Sequence, residues 1–247
     1  MNGKTQVIML ALVWAVATAA GIAAVLSVGI LPSPAATEAH IIDRAMTLLT
    51  VLSVPVFVLV VLLLVYSMIR FRHRGVPTED GPPIRGNLRL EVVWVLVTLG
   101  LTLFLAGYGT VGLLDIRALA AEAPNPLVVQ VRGSQWLWEF NYPEQNIRTV
   151  AELVLPVGRT ARFEVTSKDV LHSFWIPAFR MKIDAVPGMV TTVSATPDRT
   201  GSFEEDYHFK VQCAELCGVA HAAMLASLRV VEQSEFDAWV AQKSASK

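Results

Sequence analysis

Charged side chains are scarce in this sequence. Asp, Glu, Lys and Arg make up only 17% of its 247 residues, whereas 53% are hydrophobic. The mean hydropathy of +0.50 is too high for an ordinary water-soluble domain. A formal net charge of −1 gives no indication of a nucleic-acid partner.

Cysteine and histidine are scarce as well. The chain has two cysteines and five histidines, and it contains no Cys-x-x-Cys-His sequence. That absence excludes the covalent attachment of a c-type haem. The sequence also lacks internal repeats and low-complexity tracts, so it is not a repeat protein.

Three long apolar segments account for the high hydropathy. Residues 6–31, 45–69 and 92–114 contain no Asp, Glu, Lys, Arg or His, and each is longer than the roughly 20 residues that cross the hydrocarbon core of a membrane. After residue 115 the charges of both signs are interspersed, as in a water-soluble domain. We therefore predict three membrane-spanning helices followed by a soluble domain.

The arginines predict the orientation. The loop of residues 70–89 contains five arginines, whereas the other short loop, residues 32–44, contains one. Because Lys and Arg are retained on the cytoplasmic side, the loop of residues 70–89 is predicted to be cytoplasmic, and the soluble domain is predicted to lie outside. Residues 6–31 are either a retained anchor or a signal peptide: Lys4 and the stretch AVATAA fit a signal peptide, but the apolar run is long for one.

The soluble part of the chain has the pattern of strands. Short runs such as LVVQVRG, ARFEVTS and ASLRVVE alternate with Pro and Gly, which predicts an all-β sandwich or barrel. One helix is predicted at the end, in SEFDAWVAQK, with Ser234 as its N-cap and Phe236, Trp239 and Val240 on an apolar face.

Both cysteines fall in one short stretch, VQCAELCGVAHAAM, together with a histidine and a methionine. Cys213 and Cys217 are followed by His221 and Met224. On the cysteines alone, a disulfide is the simpler explanation, because an exported domain lies in an oxidising compartment and a Cys-x3-Cys loop can close. Two thiolates, an imidazole and a thioether are instead the ligands that copper prefers, since zinc has little use for a thioether.

A second cysteine at this spacing allows two thiolates to bridge two metal ions. Such a pair needs one more histidine, because the stretch supplies only His221. His172 and His208 are the two candidates within the soluble domain, since His40 and His73 lie outside it. The choice between them stays open on composition and spacing.

Three motifs, DVLHSFW, KIDAVPG and CAELCGVAHAAM, resemble subunit II of the haem-copper cytochrome c oxidases, and the likeness runs from about His40 to Val231. The resemblance implies a membrane-anchored all-β fold, in which a helical hairpin holds a cupredoxin-like Greek-key β-barrel containing a dinuclear copper centre, CuA. It implies the following copper ligands: His172, Cys213, the backbone carbonyl of Glu215, Cys217, His221 and Met224. His208 has no place in the motif and is interpreted as an ordinary strand histidine.

The same resemblance suggests further site residues. In GSQWLWEFNYP, Trp136 matches the tryptophan that receives the electron from cytochrome c, although Ser134 and Leu137 depart from the usual histidine and aromatic residue. In NLRLEVVW, Glu91 matches a glutamate at the entrance of a proton channel. The Glu215 side chain corresponds to a ligand of a magnesium ion at the boundary with the catalytic subunit.

The resemblance therefore predicts a subunit of a proton-translocating cytochrome c oxidase in a bacterial-type inner membrane. Its partners would be the haem-bearing catalytic subunit I, other oxidase subunits, membrane lipid and cytochrome c, with no nucleic acid. The chain has too few histidines for the oxygen-reducing site, which is expected in a partner. Acidic residues that could steer a basic cytochrome c are Glu139, Glu144, Asp169, Asp184, Glu204, Glu205 and Asp206.

The sequence disfavours three other functions. A copper-free quinol oxidase subunit would lack the ligands that are present here. An assembly or copper-delivery module with a disulfide would have to release its metal, for which a buried multi-ligand site is poorly suited. A denitrification reductase would need a large additional catalytic domain.

We predict four regions in chain order: an N-terminal span with its outer loop (1–43), a transmembrane hairpin (44–115), the extracytoplasmic copper domain (116–232), and a C-terminal helix and tail (233–247).

Overall fold

A computed structural model describes residues 2–29, 31–72, 75, 83 and 85–245. Three long helices come first: α1 (Gly3–Ser27), α2 (Thr37–Arg70) and α3 (Leu88–Glu122). Each is long and apolar enough to cross a membrane, as the sequence predicts. Half of the predicted cytoplasmic loop, residues 70–89, lies outside the described residues.

The chain divides into two compact units. One contains residues 1–30 and 44–111, called here the membrane unit, and the other contains residues 31–43 and 112–247, called the outer unit. Both α2 and α3 therefore begin in one unit and end in the other.

Within the membrane unit, α1 packs against α2. The indole N–H of Trp14 donates a 2.9 Å hydrogen bond to the carbonyl of Pro55, which lies inside α2. Gly21 is close to Val54, because a Cβ at residue 21 would lie only 2.8 Å from Cγ1 of that valine. Small residues at such contacts let two membrane helices approach each other closely.

The outer unit contains eleven strands and one further helix. The strands are β1 (Leu127–Ser134), β2 (Leu137–Tyr142), β3 (Ile147–Val150), β4 (Glu152–Pro156), β5 (Ala161–Ser167), β6 (His172–Ile176), β7 (Met181–Ala185), β8 (Thr191–Ala195), β9 (Gly201–Ser202), β10 (Lys210–Cys213) and β11 (Leu225–Val231). Short 3₁₀ turns occupy Pro177–Phe179 and His221–Ala223, and α4 occupies Gln233–Ala245.

The strands form two sheets. One has the order β3-β2-β1-β5-β8, and the other has the order β4-β11-β10-β6-β7, with β9 paired to β11. The pairs β1–β5 and β4–β11 are parallel, while the other pairs are antiparallel. The fold is thus three apolar helices followed by a cupredoxin-like β-sandwich, which confirms the predicted fold class.

Side chains of the two sheets meet in an aromatic core. Burial alternates along β1, as expected when one face of a strand packs inward. Phe174 lies between the sheets, with its ring centroid 5.1 Å from that of Phe163 and 5.7 Å from that of Trp138. Trp138 is fully buried, so of the two tryptophans in GSQWLW it is the core residue.

Residues 31–43 contribute to this core although they precede the sandwich by many residues. Ala35, Ala36 and Ala39 are completely buried in it. The buried carboxylate of Glu38 accepts hydrogen bonds from the backbone N–H (2.8 Å) and the hydroxyl (3.1 Å) of Thr196. The outer unit is therefore built from two separate stretches of the chain.

Helix α4 closes one end of the sandwich. Phe236 and Trp239 are buried, and the Trp239 ring lies 5.3 Å from that of Tyr142. The C-terminal helix is where the sequence predicts it, but it begins at Gln233, so Ser234 lies in its first turn and is not the N-cap.

We expect Tyr142→Phe to lower the free energy of unfolding of the outer unit by about 1–3 kcal/mol. The buried Tyr142 hydroxyl donates to the Val154 carbonyl (3.1 Å) and accepts from the Val154 N–H (3.0 Å), and the substitution leaves both backbone groups without this partner. Denaturant unfolding of the detergent-solubilised chain measures the effect. Tyr207→Phe, which removes an exposed hydroxyl, is the control; equal stability of the two variants would contradict the prediction.

Candidate metal centre

Strand pairing brings the predicted ligands together. His172 begins β6 and Cys213 ends the neighbouring strand β10, where Cys213 is paired with Phe174. The Cys213 N–H donates to the carbonyl of Met224 at 3.1 Å, which holds the two ends of residues 213–224, called here the metal loop, next to each other. The metal loop is therefore closed by a hydrogen bond that begins at a strand residue, Cys213.

Two cysteines and one histidine form the centre of the cluster. The Cys213 and Cys217 sulfurs are 3.8 Å apart, and the Cys213 sulfur is 3.8 Å from Nδ1 of His172. The donor atoms of these three residues all lie within 4.8 Å of one another, and all three residues are buried. This arrangement can hold a metal ion.

The remaining predicted ligands surround the two sulfurs. The Cys217 sulfur is 3.5 Å from Nδ1 of His221 and 3.8 Å from Sδ of Met224, while the Cys213 sulfur is 3.2 Å from the Glu215 carbonyl oxygen. Met224 is fully buried and His221 is half-buried, whereas the Glu215 side chain is exposed.

Asp169 fixes the orientation of His172. Its Oδ1 lies 2.8 Å from Nε2 of His172, which leaves Nδ1 facing the Cys213 sulfur. Burial raises the pKa of Asp169, but hydrogen bonds from the Gln135 N–H, the His172 ring and the Val170 N–H outweigh it and lower that pKa to about 2. Asp169 is therefore an anionic acceptor for the histidine, as in many metal sites.

Both cysteines are free, and their sulfur separation of 3.8 Å is far from the about 2.05 Å of a disulfide bond. Burial, together with the neighbouring Cys213 sulfur, raises the pKa of the Cys217 thiol to about 11. A bound cation favours the thiolate in such surroundings. Two thiolates and a thioether are soft donors, and the two imidazoles are donors that copper also accepts, so this set fits copper.

His208, the alternative to His172 from sequence, does not join the cluster. Its Nδ1 lies 2.9 Å from Oδ1 of Asp206, which also accepts from the His208 N–H at 3.0 Å. The structure therefore places His172, and not His208, beside the cysteines.

Trp136 lies against the metal loop. Its indole N–H donates to the Cys217 carbonyl at 3.2 Å, and 36% of the residue is exposed to solvent. The Gln135 side chain donates to the same carbonyl at 2.7 Å. Sequence reasoning missed Gln135, whose only signal is its place before the tryptophan in GSQW.

Glu91 is at the start of α3 in the membrane unit. Its Oε1 accepts a 3.0 Å hydrogen bond from the N–H of Asn87, and the Asn87 side chain accepts one from the N–H of Leu90 at 3.2 Å. Glu91 thus helps to cap the helix, a role that sequence reasoning did not assign to it.

Comparison with known proteins adds to this geometry. Two family models match the chain: the periplasmic domain of cytochrome c oxidase subunit II over residues 145–231, and its transmembrane domain over residues 27–109. Cytochrome c oxidase subunit 2 of Synechocystis sp. is 31% identical over 86% of this chain and 75% of that protein. The alternative cytochrome c oxidase subunit 2 of Bradyrhizobium diazoefficiens is 31% identical over 85% of this chain and 83% of that protein.

A solved structure is similar to half of this chain. The periplasmic domain of subunit II of cytochrome oxidase from Bradyrhizobium japonicum is 34% identical, with a TM-score of 0.46, and the match covers 50% of this chain and 98% of that structure.

Proposed function

This chain belongs to the cytochrome c oxidase subunit II family, and we propose that it is the subunit through which a terminal respiratory oxidase receives its electrons. It is a membrane subunit of a haem-copper oxidase complex, with a periplasmic domain. In the proposal, the outer unit accepts single electrons from cytochrome c. It passes them to the haem-bearing catalytic subunit I, which reduces dioxygen to water.

The observation that supports this proposal is the buried group of His172, Cys213 and Cys217, with His221 and Met224 beside it. These residues, together with the carbonyl of Glu215, would hold a dinuclear copper centre. When bound, such a centre supplies one-electron redox chemistry. The protein contributes rigidity, because strands β6 and β10 hold two of the ligands and Asp169 orients the histidine.

Trp136 is proposed as the residue that receives the electron from the donor. Its partial exposure makes it accessible to a partner protein, and its hydrogen bond to the Cys217 carbonyl links it to a ligand residue. Ser134 and Leu137 stand near Trp136 where the family usually has a histidine and an aromatic residue, so the surface that contacts the donor would differ from that of other family members.

Steering of a basic donor would rest on few acidic groups. Four of the acids proposed from sequence are paired within the outer unit: Glu139 with Arg148 and Lys168, Glu144 with Arg159, Asp169 with His172, and Asp206 with Arg199 and His208. Asp184, Glu204 and Glu205 are exposed. Acids whose charge is balanced by a neighbour add little to long-range attraction, so we assign the steering to these three.

Two further roles are proposed from the family. The exposed carboxylate of Glu215 is suited to bind a magnesium ion at the boundary with the catalytic subunit. Glu91 would admit protons to the catalytic subunit from the cytoplasmic side. The packing of α1 on α2 supports α1 as a retained anchor.

The free cysteines bear on the alternative of a disulfide-containing assembly module. Their separation allows a metal between them, whereas a disulfide would need the sulfurs to move closer by almost half of that distance. The presence of all the copper ligands likewise disfavours a copper-free quinol oxidase subunit.

Copper reconstitution of the metal-free, full-length chain in detergent tests the centre. We expect two coppers per chain and an electron paramagnetic resonance spectrum split by two equivalent copper nuclei. The full chain is needed because residues 31–43 are part of the outer unit. Splitting by a single nucleus, or a copper-free protein with a Cys213–Cys217 disulfide, would contradict the proposal.

Matched histidine variants extend that test. His221→Asn should abolish the shared splitting, because Nδ1 of His221 lies 3.5 Å from the Cys217 sulfur. His208→Asn changes a histidine of similar exposure that is bound to Asp206, so its spectrum should match that of the unmodified chain.

Replacement of Trp136 by Phe should slow electron acceptance from reduced cytochrome c severalfold, because a ring remains but the hydrogen bond to the Cys217 carbonyl is lost. Stopped-flow measurements on the assembled oxidase give the rate. Trp239→Phe makes the same chemical change in α4 and serves as the control. An unchanged rate in the Trp136 variant would show that electrons arrive by another route.

Glu91→Gln should slow oxygen reduction and change its pH dependence. Glutamine keeps the Oε1 that accepts the hydrogen bond from the Asn87 N–H, but its amide cannot take up and release a proton as a carboxylate does. Oxygen consumption by the assembled oxidase across pH is the measurement. Glu122→Gln, at the last residue of the same helix, is the control. Identical profiles for the two variants would remove the proton role.

A further inference from the structure

The turn between β1 and β2 is formed by Gln135 and Trp136, and both side chains reach the metal loop. They donate to one acceptor, the carbonyl oxygen of Cys217, at 2.7 Å from Nε2 of Gln135 and 3.2 Å from Nε1 of Trp136. A carbonyl oxygen has two lone pairs and can accept both bonds. The shorter bond is the one from the glutamine.

The backbone of the same turn is fixed independently. The N–H of Gln135 donates to Oδ2 of Asp169 at 2.7 Å, while Oδ1 of that carboxylate lies 2.8 Å from Nε2 of His172. The main chain of Gln135 is thus bonded to Asp169, the residue that orients His172, and its side chain is bonded to the carbonyl of Cys217. No other residue in the part of the chain that the structure describes makes both of these bonds.

Gly218 provides the space for this approach. Its φ of +118° is a conformation that favours glycine. A Cβ at this position would lie 3.1 Å from Nε2 of Gln135 and 3.3 Å from Nε1 and Cζ2 of Trp136. Gly218 therefore leaves room for the side chains of Gln135 and Trp136 to contact the metal loop.

We infer that Gln135 is a positioning residue for electron acceptance, acting through Trp136. By holding the Cys217 carbonyl, Gln135 keeps the acceptor of the weaker indole bond in place, so that the partly exposed ring stays against the metal loop. Gln135 does not itself receive the electron. The inference rests on the proposed role of Trp136.

Gln135→Met tests the inference in the assembled, copper-loaded oxidase, because methionine has a similar length but no N–H donor. Gln130→Met is the matched control, since Gln130 lies in β1 of the same sheet and bonds to Glu164 and Asn141 on its exposed face. We expect unchanged copper content and an unchanged paramagnetic spectrum. Electron acceptance at saturating cytochrome c should fall about threefold to tenfold in the Gln135 variant alone, the loss expected for one hydrogen bond.

The double variant with Trp136→Phe shows whether Gln135 acts through the tryptophan. If it does, the double variant is no slower than Trp136→Phe alone. Additive losses would overturn the inference, as would loss of copper in Gln135→Met, because Gln135 would then hold the metal ligands and not the indole.

Hydroxyl-radical labelling of the metal-free full-length chain gives a readout that needs no electron transfer. Labelling of Trp136 should rise in Gln135→Met and stay constant in Gln130→Met. If Trp136→Phe slows electron acceptance while Gln135→Met leaves rate and labelling unchanged, the inference is wrong and the proposed function stands. If Trp136→Phe has no effect, the proposed role of Trp136 is wrong, and the inference falls with it.

Discussion

Two buried sulfurs held 3.8 Å apart without a bond are the constraint on which the site depends. Nothing in a Cys-x3-Cys loop alone prevents the sulfurs from joining or separating. The sheet fixes Cys213 and the end of the loop, because Cys213 is paired to β6 on one side and its N–H is bonded to Met224. The metal loop, residues 213–224, is therefore a stretch of chain whose two ends are fixed next to each other.

The rest of the outer unit supports this loop. Phe174, at the centre of the aromatic core, belongs to the strand that begins with His172, so packing that stabilises the sandwich also fixes a candidate ligand. Asp169 then orients the ring of that histidine from the surface side. Core packing and polar contacts thus act on the same residue from two directions, which is how a metal site obtains a defined geometry before the metal arrives.

Sequence patterns predicted the three helices from long apolar runs, the all-β domain from a period of two, and Cys213, Cys217, His221 and Met224 from a spacing of soft donors. The other two candidate ligands, His172 and the carbonyl of Glu215, were implied only by the family resemblance. The pairing of Gln135 with Cys217 was not predictable, since the two residues are 82 positions apart and neither pattern nor spacing connects them. Asp169 was interpreted as a surface acid that could attract the donor, whereas the structure pairs it with His172. Residues 31–43 read as a short loop because their burial depends on a domain that follows much later in the chain.

The participation of residues 31–43 in the outer unit has a consequence for biogenesis. Glu38 and the buried alanines emerge from the ribosome well before Thr196, the residue that satisfies the carboxylate. The first outer loop has to wait on the far side of the membrane, with its apolar surface uncovered, until the sandwich has been exported. Insertion of the hairpin and folding of the domain are thus coupled in time, and an error in the translocation of either stretch leaves the other without its partner.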